Sequence, residues 1–402
     1  MSDVLSSGSP PSNGSRPRTY LPFVNNFCPR RSLETSRYGN YFLANGWRPT
    51  RRMEKADLIF IYTCGCFNSS EQRTLNTIRQ ALARKRPDAR LVVTGCLMKI
   101  HPEVLGGDYD LLPLEGINAL DGLIDARVKL ASVPDANRIH PIGDLISTRD
   151  FLVKKFKMDF ELTSLFASKV RSLFLGRTKY RGTWNIRIAT GCLGNCSYCA
   201  LKFSGGRVKS KAPEAVVEEF SRGLRLGEKT FVLINQDIGS YGQDIDTDIV
   251  TLLERLLDFD GDYKIRLIDL NPRWLVRYFD RWRPLLRRHA SKIAYLSMPV
   301  QSGSERILKL MRRPYTASDI RECFRALKKD TPGLVINTHF IVGFPGETDR
   351  DFADSAALAR EFDFGRLSIH PYQDRPRTES STMPDKVPGP VLFRRYRALL
   401  SL

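Results

Sequence analysis

The sequence predicts an α/β protein in which an N-terminal α/β domain with a parallel sheet is followed by a complete or partial βα-barrel. Apolar, strand-like runs alternate with helix-like segments over most of the 402 residues, which is typical of parallel sheets covered by helices. A basic, irregular stretch at residues 136–181 divides this alternation in two. Cysteines and small polar residues follow the predicted strands, where ligand sites form in such sheets. We therefore expect two folded domains that carry their functional residues at strand ends.

The N-terminus shows no targeting or membrane segment. Residues 1–18 are rich in Ser, Pro and Gly and predict a disordered stretch without the apolar core of a secretory signal. The chain has no run of eighteen apolar residues that would span a membrane. Eight cysteines in a chain of this length indicate metal ligation in a reducing compartment rather than disulfides. We expect a cytoplasmic protein without membrane contact.

The first predicted domain covers residues 19–135. We expect strands and helices in alternation, at 19–27, 32–45, 57–63, 70–86 and 90–94. Cys28, Cys64 and Cys96 each follow one of the three strands, and the carboxyl ends of parallel strands share one edge of the sheet. The three cysteines are therefore predicted to converge on a cluster. Three buried thiols are the alternative, because free cysteine is among the most buried residue types.

Residues 136–181 are interpreted as the connection between the two domains. Eight basic residues, from Lys154 to Arg181, give this stretch its charge. It is a candidate contact for an anionic substrate, but solvated basic faces are common and the stretch lacks the interleaved aromatic residues of a nucleic-acid stacking surface.

The second predicted domain covers residues 182–385 and repeats the alternation. Strands are expected at 186–189, 230–235, 264–269, 294–299 and 335–342. Helices are expected at 213–226, 249–257, 272–289, 304–311, 317–329 and 350–362. Five or six such units form a parallel barrel, complete or partial. Loops with small or polar residues, beginning at Asn235, Asn271, Pro299 and Gly343, follow four of the strands.

Cys192, Cys196 and Cys199 are spaced C-x3-C-x2-C just after a predicted strand. A structural zinc site and an ordinary four-iron cluster each take four protein ligands. Three closely spaced cysteines instead suit a four-iron cluster with one iron left open for a substrate. A zinc knuckle or a group of buried thiols is the alternative. Cys323 lies on the apolar stripe of a predicted helix and is assigned to the core, and no histidine has metal-ligand spacing.

This cysteine motif, with the aromatic Tyr198 before its last cysteine, resembles the signature of the radical S-adenosylmethionine (SAM) enzymes. The resemblance implies that Cys192, Cys196 and Cys199 hold the catalytic cluster and that its open iron chelates the amino and carboxylate groups of SAM. An electron from the cluster then splits SAM to give a 5′-deoxyadenosyl radical.

Further segments resemble the methylthiotransferases, which are radical SAM enzymes with an auxiliary 4Fe–4S cluster in an N-terminal domain. The matching segments surround the three separated cysteines, as Asn-Phe-Cys28-Pro, Tyr-Thr-Cys64-Gly and Thr-Gly-Cys96-Leu. The resemblance implies that these cysteines are the auxiliary ligands. Cys66 matches no family position and is interpreted as a loop thiol, although it is the next candidate for the position of Cys64.

The same resemblance implies which residues contact SAM. Gln301 and the strand end from Ile341 to Gly343 are expected to flank SAM, and Tyr198 is placed with them. The family grips the SAM amino group at the place taken here by Asn235, Gln236 and Asp237. Glycine-rich loops also end helices for conformational reasons, so the order of these segments along the chain supports the assignment more than any one of them.

The resemblance covers about residues 20 to 395. The family usually continues into a small β-barrel, the TRAM module, that holds RNA or a protein substrate, whereas residues 386–402 predict only a helix or tail. We therefore expect a peptide or small-molecule substrate, with tRNA as the alternative that the net charge of +19 mildly supports. The resemblance also implies SAM, two 4Fe–4S clusters and an electron donor such as flavodoxin or ferredoxin.

These observations predict an enzyme that inserts sulfur, as methylthio, at an unactivated C–H bond. Such a bond offers no leaving group and no acidic proton, so its substitution needs a radical. One alternative is a radical SAM enzyme whose auxiliary cluster transfers electrons or binds substrate without giving up sulfur. Another is an RNA-binding iron–sulfur protein, which explains the charge but leaves the open cluster site without a role.

Overall fold

The computed structural model describes residues 18–24, 28–139 and 182–402. The chain forms two compact units, Met1–Gly182 and Thr183–Leu402. Residues 1–17 and 140–181 lie outside the described residues, so the expected disorder of the N-terminus and the expected basic connection stay predictions.

The first unit contains a five-stranded parallel sheet with the strand order β2-β1-β3-β4-β5. The strands are β1 (Thr19–Val24), β2 (Arg48–Pro49), β3 (Leu58–Thr63), β4 (Arg90–Gly95) and β5 (Asp110–Leu112). The helices are α1 (Pro29–Ala44), α2 (Asn68–Arg84) and the short α3 (Leu97–Ile100) and α4 (Leu120–Leu123). Thr63 at the end of β3 pairs with Gly95 at the end of β4, so Cys64 and Cys96 follow neighbouring strands at the same edge.

Both faces of this sheet are covered, which explains the unbroken apolar run of β3. Phe60 and Tyr62 enter one core together with Phe42 of α1. Ile61, which points the other way, enters a second core together with Ile78 of α2. The sheet is therefore fixed from both sides, and its carboxyl edge is left as the place where loops and cysteines meet.

The second unit is built on a six-stranded parallel sheet with the order β13-β12-β11-β10-β9-β6. Its strands are β6 (Trp184–Arg187), β9 (Thr230–Ile234), β10 (Lys264–Leu267), β11 (Ile293–Gln301), β12 (Ile336–Val342) and β13 (Arg366–Pro371), and the pair β7 (Ala189–Thr190) and β8 (Lys209–Ser210) forms a small antiparallel ribbon. Because β6 and β13 are the two edges of the sheet, the barrel is partial, which was one of the two predicted forms.

The helices of the second unit pack on one face of this sheet. They are α5 (Leu201–Gly205), α6 (Pro213–Arg225), α7 (Ile249–Leu257), α8 (Pro272–Arg277), α9 (Phe279–Arg288), α10 (Glu305–Leu310), α11 (Ala317–Asp330), α12 (Asp349–Glu361) and α13 (Gly389–Leu400). One residue in two along each strand enters the shared core, as Phe231, Leu267, Met298 and Phe340 do. Burial of each such side chain contributes about 1.5–3 kcal/mol.

Besides short elements that were not expected, namely β2, β5, β7, β8, α3, α4 and α5, three elements differ from the sequence prediction. The expected single helix at 272–289 is two helices, because Tyr278 leaves helical geometry at φ −116° and the Trp274 carbonyl accepts from the Trp282 indole at 3.2 Å. Strand β13 was not expected although its sequence, Arg-Leu-Ser-Ile-His-Pro, alternates polar and apolar residues. The last helix, expected within 386–402, begins at Gly389, since a proline in the first turn is tolerated there.

No helix among the residues that the structure describes is long and apolar enough to cross a membrane.

Candidate active site

The loop from Cys192 to Cys199 follows strand β7 and precedes helix α5 along the chain. Gly191 opens the loop at φ +79°, and a Cβ there would lie 2.1 Å from the carbonyl oxygen of Arg207. The sulfurs of Cys192 and Cys196 lie 3.2 and 3.7 Å from the position that a Cβ of Gly194 would take. Small residues therefore let the backbone fold tightly around the cysteines, and all three are free thiols.

Ser197 anchors this loop to the end of helix α10. Its amide donates to the carbonyl of Met311 at 3.2 Å, and its hydroxyl donates to the carbonyl of Leu310 at 2.8 Å. The Ser197 carbonyl accepts from the amide of Ser380 at 3.0 Å. The middle of the cysteine motif is therefore fixed to two other segments of the same unit.

The thiols suit a cluster that takes thiolate ligands. Burial, and next the negative charge of Asp237, raises the pKa of Cys192 to about 12, although the amide of Gly194 donates to its sulfur at 3.1 Å. A thiolate is therefore costly here without a metal, and iron would displace the proton. No group of three or more Cys, His, Asp or Glu among the described residues is arranged for a single metal ion. A four-iron cluster has a wider ligand set, because each cysteine binds its own iron.

A second feature of the site is Arg313, which lies between helices α10 and α11 and belongs to no sequence motif. Its guanidinium is buried and donates to the sulfur of Cys196 at 3.3 Å. Burial opposes its charge, but the neighbouring Tyr315, Tyr198 and Cys196 raise the pKa of Arg313 above its ordinary value. A permanent cation therefore touches one sulfur of the motif.

Tyr198 packs beside the predicted SAM segments. Its ring lies edge-on to that of Phe344 with centroids 6.5 Å apart, and it contacts the small apolar group that also includes Ile307 and Ile341. The structure thus brings Tyr198 and Ile341 together.

The three polar residues after β9 differ in their surroundings. Asp237 is buried and accepts hydrogen bonds from the amides of Gly239 and Asn271, both at 3.1 Å, and from the Trp274 indole at 2.7 Å. Asn235 donates to the carbonyl of Asp237 at 2.8 Å. These contacts hold the loop in its conformation. Burial raises the pKa of Asp237, although the hydrogen bonds from Trp274 and Asn271 lower it.

Gln236 and Gln301 each carry a buried amide oxygen without a hydrogen-bond partner among the described residues. Gln236 packs against Gly205, where a Cβ would lie 2.1 Å from its amide oxygen. Gln301 ends β11 in the left-handed region at φ +74°, a conformation that is costly for a side chain with a Cβ. Buried acceptors without donors fit a bound molecule that carries ammonium or hydroxyl groups, as SAM does.

A hydrogen bond and a packing contact hold the end of β12 in place. The amide of Gly343 donates to a carboxylate oxygen of Glu347 at 2.8 Å, and Gly343 adopts φ +75° with Leu392 packed where a Cβ would lie. The predicted SAM strand end is therefore held by helix α13, which carries Leu392.

The strand face opposite the helices carries polar side chains beside the apolar Val232 and Ile234 of β9. The side chains that alternate with the core residues include Arg187 on β6, Arg266 on β10 and Arg366 on β13. Tyr295 lies near two of them, with the Arg266 guanidinium 6.0 Å from its ring centroid, and Arg366 also acts on it electrostatically. The inner face therefore carries three arginines and an aromatic side chain among apolar residues.

In the first unit, Cys28 and Cys96 each lie within electrostatic reach of Cys64. Burial raises the pKa of Cys64 to about 11, the backbone of Cys66 lowers it, and the charges of Cys96 and Cys28 raise it further. Gly95, at φ +110°, lets the ends of β3 and β4 approach, since a Cβ there would lie 2.6 Å from the carbonyl oxygen of Thr63.

A half-buried arginine also stands beside these cysteines. Arg31 pairs with Glu34 at 2.6 Å, and the Tyr62 hydroxyl donates to the same carboxylate at 2.7 Å. Burial opposes its charge, but Glu34, Tyr62, Cys96 and Cys28 raise the pKa of Arg31. Sequence reasoning missed Arg31 and Arg313 alike, because a lone arginine carries no motif. Cys323, by contrast, lies in the core of the second unit as predicted.

Comparisons with known proteins agree with this division. Residues 186–359 match the family model of the Radical SAM superfamily, and residues 24–110 match that of uncharacterized protein family UPF0004. The chain is similar to solved structures of a radical S-adenosylmethionine methyltransferase, TsrM from Kitasatospora setae. With tryptophan substrate and a SAM analog bound, that structure shows a TM-score of 0.58, 14% identity and coverage of 90% of this chain and 75% of that one. At this identity the likeness concerns the fold.

Curated relatives are similar over most of the chain. A probable threonylcarbamoyladenosine tRNA methylthiotransferase of Archaeoglobus fulgidus is 30% identical over 354 residues, which is 87% of this chain and 76% of the relative. A tRNA-2-methylthio-N(6)-dimethylallyladenosine synthase of Pelotomaculum thermopropionicum is 30% identical over 89% of this chain and 76% of its own. The ribosomal protein uS12 methylthiotransferase RimO of Protochlamydia amoebophila is 27% identical over 95% of this chain and 76% of its own.

Proposed function

Since this chain belongs to the radical SAM methylthiotransferase family, whose members are enzymes that use SAM and a 4Fe–4S cluster, we propose that it holds two such clusters. Cys192, Cys196 and Cys199 would hold one, and Cys28, Cys64 and Cys96 the other. The observation that carries the proposal is that each unit has its own three cysteines at the carboxyl edge of a parallel sheet.

When bound, the cluster held by Cys192, Cys196 and Cys199 would supply the electron that cleaves SAM, and the auxiliary cluster held by Cys28, Cys64 and Cys96 would supply the sulfur. The residues of this chain would bind SAM and hold it in position. The oxygens of Gln236 and Gln301 would accept hydrogen bonds from SAM, and Tyr198 with Ile341 would provide an apolar wall beside it. Cys66 lies beside Cys64 but would not be a ligand. The comparisons do not favour the alternative in which the auxiliary cluster gives up no sulfur.

We further propose that the substrate is an RNA. Two of the relatives are named for tRNA, and the inner strand face presents Arg187, Arg266 and Arg366. Arginine binds phosphate and carboxylate groups through paired donors, and Tyr295 offers a ring for a base to stack on. The net charge of +19 would attract a polyanion at long range. These residues favour the tRNA alternative over the peptide or metabolite that we expected from the sequence.

We place the enzyme in the cytoplasm, where thiols stay reduced, with a flavodoxin or ferredoxin as the electron donor. The test of the cluster proposal is an iron count on anaerobically reconstituted protein, which should hold about eight irons in two clusters of four. A count near four that stays unchanged when Cys28, Cys64 and Cys96 are all replaced would refute the auxiliary cluster.

The test of the substrate is mass spectrometry of nucleosides from the tRNA of a strain that lacks the gene. Loss of one methylthio nucleoside, restored by the wild-type gene but not by one encoding Cys196→Ala, is the expected result. An unchanged set of methylthio nucleosides together with loss of a methylthio group from a ribosomal protein would refute the RNA proposal and leave the methylthiotransferase activity standing.

A further inference from the structure

Arg313 joins a cysteine of the cluster motif to the strand that ends at Gln301. Its side chain is 8% exposed, and each of its three donor groups has a partner. One terminal nitrogen donates to the sulfur of Cys196 at 3.3 Å, the other donates to the carbonyl of Pro299 at 2.8 Å, and Nε donates to the hydroxyl of Tyr315 at 2.7 Å.

The partners of Arg313 are themselves fixed. The Tyr315 hydroxyl donates to the carbonyl of Val300 at 2.9 Å, and the amide of Arg313 donates to the carbonyl of Leu308 at 2.9 Å. The guanidinium therefore has one available position, at which its charge meets the sulfur of Cys196. The planar guanidinium makes three separate contacts at once, which the single ammonium group of a lysine does not reproduce.

We propose that Arg313 is a positioning residue that donates a hydrogen bond to the cluster-bound sulfur of Cys196 and thereby makes the SAM-cleaving cluster easier to reduce. Reduction adds an electron to a centre that thiolates already make anionic. A nearby cation and a hydrogen bond to sulfur stabilise the added charge, and both factors set the reduction potentials of such clusters. The proposal rests on the assignment of a cluster to Cys192, Cys196 and Cys199.

The test compares reduction potentials in the full-length protein. Cys28, Cys64 and Cys96 are replaced by alanine, so that one cluster contributes to the electron paramagnetic resonance signal. Arg313→Met removes the charge at similar length, and Arg313→Lys keeps the charge without the fork. The matched control is Arg312→Met, because Arg312 is the preceding residue but is half-exposed and pairs with Glu379 at 2.9 Å.

We expect Arg313→Met to disfavour reduction about tenfold, which corresponds to about 59 mV for a one-electron couple. Arg313→Lys should fall between this variant and wild type, and Arg312→Met should match wild type. Thermal melting shows whether each protein is folded. Loss of the cluster in both Arg313 variants while melting is unchanged overturns the inference, because the arginine would then be needed to retain the cluster rather than to set its potential.

A loaded Arg313→Met protein with the wild-type potential overturns the inference, and so does unfolding of both Arg313 variants, which would assign the arginine to the fold. Absence of any cluster from the protein in which only Cys28, Cys64 and Cys96 are replaced is a different result. It would refute the proposed cluster assignment, whatever Arg313 does.

Discussion

The guanidinium of Arg395 and the carboxylate of Glu347 form an ion pair at 2.9 Å in which both side chains are buried, at 5% and 0% exposure. The same carboxylate oxygen accepts from the amide of Gly343 at 2.8 Å. Arg395 also donates to the backbone carbonyl of Glu347 at 3.0 Å. Helix α13 is thus tied directly to the strand end that we assign to SAM.

Removal of one partner of this pair should be costly. Arg395→Met leaves a carboxylate buried without its cation, which typically costs about 3–5 kcal/mol. Glu347→Gln in the same protein should restore part of the loss. The control is Arg394→Met, since Arg394 is 68% exposed. Urea denaturation measures the free energies of unfolding, and equal values for the Arg395 and Arg394 variants would contradict the role of the pair.

The two sets of cysteines should fail in different ways. Cys192→Ala, Cys196→Ala or Cys199→Ala removes a ligand from the SAM-cleaving cluster and should abolish 5′-deoxyadenosine formation with dithionite and SAM. Replacement of an auxiliary cysteine, Cys96→Ala for example, should leave SAM cleavage but abolish sulfur transfer.

Chromatography resolves these outcomes by measuring 5′-deoxyadenosine and S-adenosylhomocysteine separately, the second of which reports methyl transfer to sulfur. Cys66→Ala is the control and should behave nearly as wild type. If Cys96→Ala made S-adenosylhomocysteine at the wild-type rate, the sulfur-carrying role of the auxiliary cluster would be wrong.

Gly191→Ala should disrupt the cysteine loop. Its Cβ would lie 2.1 Å from a backbone carbonyl oxygen, in addition to the strain of φ +79°, which alone costs about 1–3 kcal/mol. Gly227→Ala is the matched control, since Gly227 has φ +77° but nothing within 4 Å of its Cβ position. Iron bound per protein should fall for Gly191→Ala and remain near wild type for Gly227→Ala. Equal loading would show that the close approach at Gly191 is not required.

The arginines of the inner face should contribute to RNA affinity in a salt-dependent way. Each phosphate contact that is lost lowers the slope of log K against log salt by about 0.7–0.9. Arg266→Met or Arg366→Met should therefore bind tRNA more weakly and with a shallower slope, measured by fluorescence anisotropy. Arg225→Met, on the helix face and paired with Glu218 at 2.8 Å, should leave both values unchanged. Wild-type slopes in the inner-face variants would refute this role.

His370 should make the second unit less stable in acid. Burial first, then His339 and Arg366, lower the pKa of His370 from 6.5 to about 4. A depressed pKa means that the unfolded chain binds the proton more readily, so stability is complete above pH 6.5 and is lost as the pH falls towards 4. The loss from pH 7 to 5 should be on the order of 2 kcal/mol. Urea denaturation of iron-free His370→Asn should show a smaller loss, and an identical loss would contradict the prediction.

Most of the fold follows from the sequence because alternation and strand-end motifs are local signals. Every expected strand of both units is present, and Cys64 and Cys96 follow neighbouring strands as predicted. The break at Tyr278 was not predictable, since it depends on an indole that reaches a carbonyl one helix away. Strand β13 was predictable from its alternation but is short, with Leu367 and Ile369 as its only large apolar residues.

The candidate site divides in the same manner. Cysteine spacing selects Cys192, Cys196 and Cys199 as candidates, and position after strands selects the other three. Arg313 could not be found this way, because its contact with Cys196 joins residues 117 positions apart. The hydrogen bonds that occupy Asp237 were also unpredictable, since they come from Trp274 and Asn271 on the following strand-to-helix connection.

Because side chains alternate between the two faces of each strand in the second unit, the inner-face residues can change during evolution while the core residues cannot. Leu267 and Phe340 pack in the core between the sheet and the helices, whereas their neighbours Arg266 and His339 lie on the opposite face of the sheet. A lineage that replaces an inner residue therefore leaves the packing of the helices intact. Descendants of one ancestor could then exchange one substrate for another through a few point changes while their shared scaffold is inherited whole.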